Sequence, residues 1–229
     1  MTSRNNDNRE LTSERISQFR DTFDSNSTNA LMQNVVTQRD VNEVALNRGI
    51  VTEAVHSFSN LLDDWSVTNQ ARSGRCWMFA GLNMFRAESK DVLNVKEFEF
   101  SQNYLMFWDK IERANFLLEA IIDTADQPVD DRTVAWLLQR GIEDGGQWDM
   151  FVNLVKKHGV VPKTIMPESE SSSNSARMNG MINYQIRQGA MNIRELYSQE
   201  GDPQEIRELK NGVLDTIYKI LCIHLGTPP

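Results

Sequence analysis

Residues 69–80 read Asn-Gln-Ala-Arg-Ser-Gly-Arg-Cys-Trp-Met-Phe-Ala, a polar stretch that runs directly into an apolar one. The Ser and Gly at the end of the polar part are typical of residues that precede a helix. Apolar residues then occupy nearly every side of the predicted helix, so we expect that helix to be buried. These residues are Trp77, Phe79, Ala80, Leu82, Met84 and Phe85.

Cys76 lies at the first turn of this predicted helix. A helix N-terminus offers free N–H groups and a positive dipole end, which stabilise a thiolate. Gln70, six residues upstream, can place its side-chain amide beside the backbone N–H of Cys76, and Gly74 permits the tight turn that this requires. The alternative interpretation is an inert buried cysteine, a solvated glutamine and aromatic residues that serve only the core.

The order Gln, five residues, Cys-Trp, with Ser-Gly-Arg before the cysteine, resembles the nucleophile segment of papain-like cysteine peptidases. Its form is similar to that of one branch, the bleomycin hydrolases and bacterial aminopeptidases C. Further stretches that resemble this branch are 67–70, 98–105, 107–110, 144–150 and 159–162. The resemblance extends from the N-terminal helix to Pro229. It implies an α+β, papain-like fold, of which this chain is the mostly helical part without the β-rich half.

The resemblance also implies roles for individual residues. Cys76 is expected to be the nucleophile and Gln70 the oxyanion donor. Gly145 and Gly146 resemble the glycine pair whose backbone runs alongside a bound substrate, although a simple loop before a helix is the alternative. Secreted papain relatives have a structural cysteine at the position of Ser73, and its absence here suits a reducing cytoplasm.

A partner base for the cysteine is not evident in the sequence. His56 lies in an apolar stretch and is expected to be structural, whereas His158 and His224 lie near helix C-termini, where a cation is favoured. None resembles the catalytic histidine segment of the family, which places its His and its Asn after the point where this chain ends. We therefore expect a fragment or a truncated product, with negligible hydrolysis of aminoacyl-arylamides by the isolated chain.

The composition narrows the classes of function. The 229 residues carry a formal net charge of -8, which argues against a general nucleic-acid or anionic-membrane binder. The N-terminus lacks the apolar run of a signal peptide, so a cytoplasmic location is expected. Two distant cysteines and three scattered histidines predict neither a disulfide framework nor a zinc site, and no metal or cofactor is expected.

Two functions remain open at this point. The first is a cysteine aminopeptidase that releases N-terminal residues from peptides with free N-termini through a thioester on Cys76. For this function the resemblance implies a homo-oligomer, a hexamer, in the intact protein. The second is a truncated, non-catalytic paralogue that keeps the helical part as an interaction protein.

The periodicity of apolar residues predicts the organisation of the chain. Residues 1–10 are expected to be disordered, and 11–229 to form the largely helical N-terminal part of the peptidase. Residues 51–62 are ambiguous, 65–68 are expected to be extended, and 168–174 are expected to form an exposed loop. Helices are predicted over 11–23, 31–46, 102–121 with Ser101 as its cap, 133–139 closed by Gly141, 147–157, from about 175 to 197, and from Pro203, capped by Asp202, to Gly226.

Overall fold

The structure is a computed structural model that describes residues 11–59 and 66–229. Within these ranges it is mostly helical, and its β-structure consists of two isolated β-bridges, Arg72 to Asn174 and Phe100 to Pro162. The helices are α1 Ser13–Asp24, α2 Ser27–Val36, α3 Val41–Val44, α4 Arg48–Glu53, α5 Cys76–Leu93, α6 Gln102–Asp123, α7 Arg132–Arg140, α8 Trp148–His158, α9 Glu170–Ser173, α10 Ala176–Ser198 and α11 Pro203–Leu225. The prediction of a mostly helical chain is confirmed.

The chain divides into two units, Met1–Leu61 and Leu62–Pro229. The first contains α1 to α4, and none of its described residues is buried. The predicted helix over 11–23 is confirmed as α1, but a single helix over 31–46 is wrong. Thr37 ends α2, and the Asp40 side chain accepts a hydrogen bond from Asn42 N, which starts α3 as a separate helix.

The two uncertain segments upstream of Cys76 are partly described. In the ambiguous stretch 51–62, α4 ends at Glu53 and residues 54–58 have no regular structure. Residues 66–68, from the stretch predicted as extended, form no regular element. Residues 60–65 and the predicted disordered segment 1–10 lie outside the described residues.

Helix α6 is the centre of the second unit. More than half of its residues are buried, and α10 and α11 pack against it and against each other. α5 packs against α6 and α8. The core comes from all of these helices and includes Met78, Leu82, Phe107, Leu118, Ile121, Phe151, Ile182, Ile193, Ile217 and Leu221. Because side chains from distant parts of the chain share this core, it fixes where the first turn of α5 lies.

The helix starts at the predicted caps Ser101 and Asp202 are confirmed, and Asp131 is a further cap. The side chains of Ser101, Asp131 and Asp202 accept hydrogen bonds from backbone N–H groups at the starts of α6, α7 and α11, and Pro203 is the first residue of α11. Gly141 follows α7 with a φ of 61°. Glycine adopts this left-handed conformation without strain, which is why it ends the helix.

Two predictions for this unit are wrong. Residues 168–174 are not an exposed loop, because the Ser169 and Ser172 side chains form a capping box that starts α9 and buries Ser172. α5 is not buried on all sides, since Met84 is 57% exposed and Ala80 is also exposed. No helix in the described ranges is both long and apolar enough to cross a membrane.

Candidate active site

Cys76 is the first residue of α5, and its side chain is exposed. The carbonyl of Arg75 accepts hydrogen bonds from the N–H groups of Met78 and Phe79, both at 3.0 Å, so the helix starts immediately before the thiol. The thiol therefore stands at the end of a helix where unpaired N–H groups concentrate positive charge.

The turn before Cys76 is held by its own side chains. Ala71 has a φ of 52°, and its N–H donates to Asn69 Oδ1 at 2.8 Å. Ser73 Oγ donates to the carbonyl of Gln70 at 2.7 Å. The side-chain oxygen of Gln70 is buried and has no hydrogen-bond partner in the part of the chain that the structure describes. Gln70 is thus fixed in the turn through its backbone carbonyl, whereas its side-chain oxygen accepts no hydrogen bond from the described residues.

Arg75, directly before Cys76, is only 1% exposed. Its guanidinium forms a two-point ion pair with Glu168, at 2.9 and 2.7 Å, and its Nε donates to Ser73 Oγ at 2.8 Å. It also lies over the ring of Phe79. An ion pair with two parallel hydrogen bonds fixes both the position and the orientation of the Arg75 guanidinium. The sequence gives no role to Arg75, since its partner lies 93 residues away.

Asp144 joins the turn before Cys76 to the loop before α8. Its Oδ2 accepts a hydrogen bond from Gly74 N at 3.2 Å, and its carbonyl accepts one from Trp77 Nε1 at 2.7 Å. The two donors lie on either side of Cys76 in the chain. One residue of the loop therefore contacts the nucleophile segment both before and after the thiol.

The carboxylate of Asp144 is also bonded to α6 and α10. Its Oδ1 accepts from Lys110 Nζ at 2.6 Å and from Asn179 Nδ2 at 2.7 Å, and its Oδ2 accepts from Ser175 Oγ. Burial by itself would raise the pKa of Asp144, but the Lys110 ammonium and these hydrogen bonds outweigh it and hold that pKa well below its usual range. Asp144 is therefore a carboxylate at neutral pH.

The two predicted substrate-binding glycines differ in their surroundings. Gly145 is exposed, and a Cβ added to it would meet nothing within 4 Å. Its carbonyl accepts a hydrogen bond from Arg113 Nη2. A Cβ on Gly146 would come within 2.4 Å of the Trp77 ring. Only a residue without a side chain lets the loop lie this close to the indole, so Trp77 connects α5 to Gly146.

An open cavity of about 540 Å³ lies between the turn before Cys76 and the Gly145 loop. Its lining includes Arg72, Gly74, Asp144, Gly145 and Asn179. A more enclosed cavity of about 520 Å³ lies between α6, α7 and α8, and its lining contains none of the four predicted site residues. The first cavity is lined by one of the four, Gly145, and by the turn that precedes Cys76, whereas Cys76, Gln70 and Gly146 are not among its lining residues.

The histidines have other contacts. His158 pairs with Glu112 at 2.9 Å and stacks on Trp108, and His224 Nδ1 hydrogen-bonds to Ser171 Oγ at 2.7 Å. His56 is exposed, so its expected structural role is wrong. In residues 11–59 and 66–229, no histidine hydrogen-bonds to Cys76, and no group of three or more His, Cys, Asp or Glu side chains could hold a metal ion.

The family model of the peptidase C1-like family matches residues 10–229. The chain belongs to this family. A mouse bleomycin hydrolase is 41% identical to it over 223 residues, which are 96% of this chain and 49% of the mouse protein. An aminopeptidase C from Listeria monocytogenes is 40% identical over 220 residues, again 96% of this chain and 49% of the relative. The resemblance inferred from the Cys76 segment is therefore confirmed.

A solved structure gives the same result for the fold. The crystal structure of PepW from Lactobacillus rhamnosis superposes with a TM-score of 0.89 at 41% sequence identity. The match covers 96% of this chain and 50% of the PepW chain. The papain-like architecture of this peptidase C1-like chain is confirmed, and the chain spans about half the length of the relatives that it matches.

Proposed function

We propose that these residues form the nucleophile-bearing part of a cysteine aminopeptidase. The observation that carries the proposal is the position of Cys76, exposed at the start of α5 and linked through Trp77 and Asp144 to the Gly145–Gly146 loop. The turn before Cys76 and Gly145 of the loop line one open cavity. Membership of a peptidase family and similarity to an aminopeptidase C support this assignment.

In the proposed reaction, the Cys76 thiolate attacks the carbonyl carbon of the first peptide bond. The carbonyl oxygen becomes an oxyanion, which the backbone N–H of Cys76 and the side-chain amide of Gln70 stabilise. The C–N bond breaks, the leaving amine takes a proton from a general acid, and a thioester remains on Cys76. Water then attacks the thioester, gives up a proton to the same group as a base, and releases the amino acid and the thiol.

The surroundings of Gln70 support its role as oxyanion donor. The backbone carbonyl of Gln70 accepts from Ser73 Oγ, whereas its side chain makes no hydrogen bond within the described residues. The side-chain N–H group is therefore available to donate to an oxyanion. The proton-transfer group is proposed to be a histidine outside these 229 residues, because His158 and His224 are engaged by Glu112 and Ser171.

The substrates are proposed to be peptides with free N-termini, and the intact protein is proposed to be a cytoplasmic homo-oligomer, a hexamer. The first proposal is supported by the name of the aminopeptidase C relatives. The oligomeric state rests on the family resemblance of the Cys76 segment. No metal or cofactor is needed for thioester chemistry of this type.

Turnover of an aminoacyl-arylamide tests the proposal. The protein encoded by the whole reading frame that contains these residues is expected to hydrolyse the substrate, and Cys76→Ala to abolish the activity. Cys222→Ser, which replaces the other thiol on α11, is the matched control and should keep it. The 229-residue chain alone is expected to show negligible turnover. Activity that survives Cys76→Ala contradicts the proposal, and a whole protein without activity favours the non-catalytic interaction protein.

A further inference from the structure

Lys110 is a fully buried lysine in the middle of α6. Its ammonium group donates to Asp144 Oδ1 at 2.6 Å and to the carbonyl of Glu143 at 2.8 Å. A buried ion pair contributes little net stability, because the cost of removing both charges from water offsets their attraction. A pair of apolar residues would fill the same space, so the presence of these charges indicates a role other than stability.

The hydrogen bonds of Asp144 indicate what that role is. The donors of two of them, Gly74 N and Trp77 Nε1, are two residues before and one residue after Cys76. The next residues in the chain after Asp144 are Gly145 and Gly146. Asp144 therefore contacts the nucleophile segment and begins the glycine loop, and Lys110 joins it to the most buried helix of the unit.

We propose that Asp144 is a positioning residue for Cys76, and that Lys110 supplies the counter-charge that keeps its carboxylate buried beneath the nucleophile turn. The carboxylate holds the turn through Gly74 N–H and thereby sets both the alignment of the thiol with the α5 N-terminus and its distance from the Gly145–Gly146 loop. The inference rests on the proposed function, since positioning matters only if Cys76 is a nucleophile.

Two pairs of substitutions separate positioning from packing. Lys110→Met with Asp144→Asn removes both charges but leaves a side-chain oxygen that can accept from Gly74 N–H. Lys110→Met with Asp144→Leu removes the charges and the acceptor as well. Both variants are neutral at these positions. They differ in the oxygen that accepts from Gly74 N–H and from the Ser175 and Asn179 side chains, which leucine lacks, and in the larger volume of leucine. Glu143→Gln, at the preceding exposed position, is the control for loss of charge near the loop.

The measurement is the rate at which iodoacetamide alkylates Cys76 from pH 5 to pH 10, followed by peptide mass spectrometry, with Cys222 of the same molecule as internal reference. Asp109 and Arg113 of α6 remain in both Lys110→Met variants, so they do not account for a difference between these two. We expect the Leu variant to lose at least fivefold in Cys76 alkylation near neutral pH, with a pH midpoint shifted upwards. The Asn variant is expected to restore the rate to within about twofold of the unsubstituted chain, and Glu143→Gln to leave the profile unchanged.

Equal profiles for the Leu variant and the unsubstituted chain would overturn the inference, and so would equal losses in the Leu and Asn variants. Should the Leu variant fail to fold, hydrogen exchange in the unsubstituted chain decides: the Gly74 amide must be protected at least 100-fold, and rapid exchange there overturns the inference. Neither measurement requires turnover. If the whole protein is a peptidase but the variants lack these effects, this inference fails and the proposed function stands. If the effects are present but the whole protein has no peptidase activity, the proposed function fails instead.

Discussion

At the scale of single residues, Trp77 acts as a spacer in the candidate site. Its indole N–H donates to the carbonyl of Asp144, and its ring lies where a Gly146 side chain would otherwise be. The distance between the start of α5 and the glycine loop therefore depends on the thickness of an aromatic ring. Although the sequence suggests equivalent roles for Gly145 and Gly146, only Gly146 is constrained by this contact.

Replacing each glycine by alanine tests this difference. Gly146→Ala is expected to lower the free energy of unfolding by about 1–3 kcal/mol, because its Cβ would overlap the Trp77 ring and either loop or indole must shift. Gly145→Ala is the matched control and should change it by less than about 0.5 kcal/mol, since its Cβ meets nothing within 4 Å. Urea unfolding measures both, and equal effects would show that the indole does not set the loop position.

At the scale of elements, α10 and α11 make the most extensive helix–helix packing of the second unit. They approach closely at Gly189, which is buried and where an added Cβ would lie 2.7 Å from a methyl group of Val213. Gly180 lies in the same helix, but it is exposed and faces open space. The two glycines thus have the same secondary structure and opposite surroundings.

We expect alanine at these two positions to change stability in opposite directions. Gly189→Ala should destabilise the protein by about 1–3 kcal/mol, because it forces the two helices apart. Gly180→Ala should stabilise it by up to about 1 kcal/mol, the difference in helix propensity between the residues. Thermal unfolding followed by circular dichroism gives both values. A stabilising Gly189→Ala would mean that the α10–α11 crossing is looser than the structure shows.

Among these elements, the starts of helices can be predicted from the sequence, whereas the ion pairs between helices and loops cannot. Caps such as Ser101 and Asp202 are local signals, and α6 and α11 begin where these signals place them. The ion pairs of the site are not local: Arg75 and Glu168 lie 93 residues apart, and Lys110 and Asp144 lie 34 apart. Apolar periodicity cannot predict such partners, because it describes one element at a time.

The buried position of Lys110 can nevertheless be recognised in the sequence. Lys110 lies three residues after Phe107 and four before Ala114, on the apolar stripe of α6, so it is a charged residue on the buried face. A lysine there requires a buried counter-charge. Nothing local identifies that counter-charge as Asp144, and the role of the loop therefore emerges only from the tertiary contacts.

At the scale of the whole molecule, every buried apolar residue in the described ranges lies between Met78 and Leu225. The cooperative part of unfolding is therefore expected to come from the second unit. Asp144 connects three parts of this unit, namely α6 through Lys110, α10 through Ser175 and Asn179, and the turn at Gly74. Protonation of one carboxylate should consequently affect the stability of the whole unit.

The sign of this effect follows from the lowered pKa of Asp144. A carboxyl whose pKa is lower in the folded than in the unfolded state stabilises the fold fully above the unfolded pKa of about 3.9. That stabilisation is lost as the pH falls below this value towards the folded pKa, by at most about 1.4 kcal/mol per pH unit for one proton. The neighbouring Asp109 has the opposite sign, because burial raises its pKa against the influence of Arg113 and Lys110.

The variant that combines Lys110→Met with Asp144→Asn should therefore lose stability less steeply than the unsubstituted chain between about pH 4 and pH 2. It has no carboxyl to protonate at position 144, and loss of Lys110 raises the pKa of Asp109 further, so that acid favours its folded state. Urea unfolding at a series of pH values gives both curves, with Glu143→Gln expected to follow the unsubstituted chain. Parallel curves for all three proteins would mean that protonation of Asp144 is not what destabilises the core in acid.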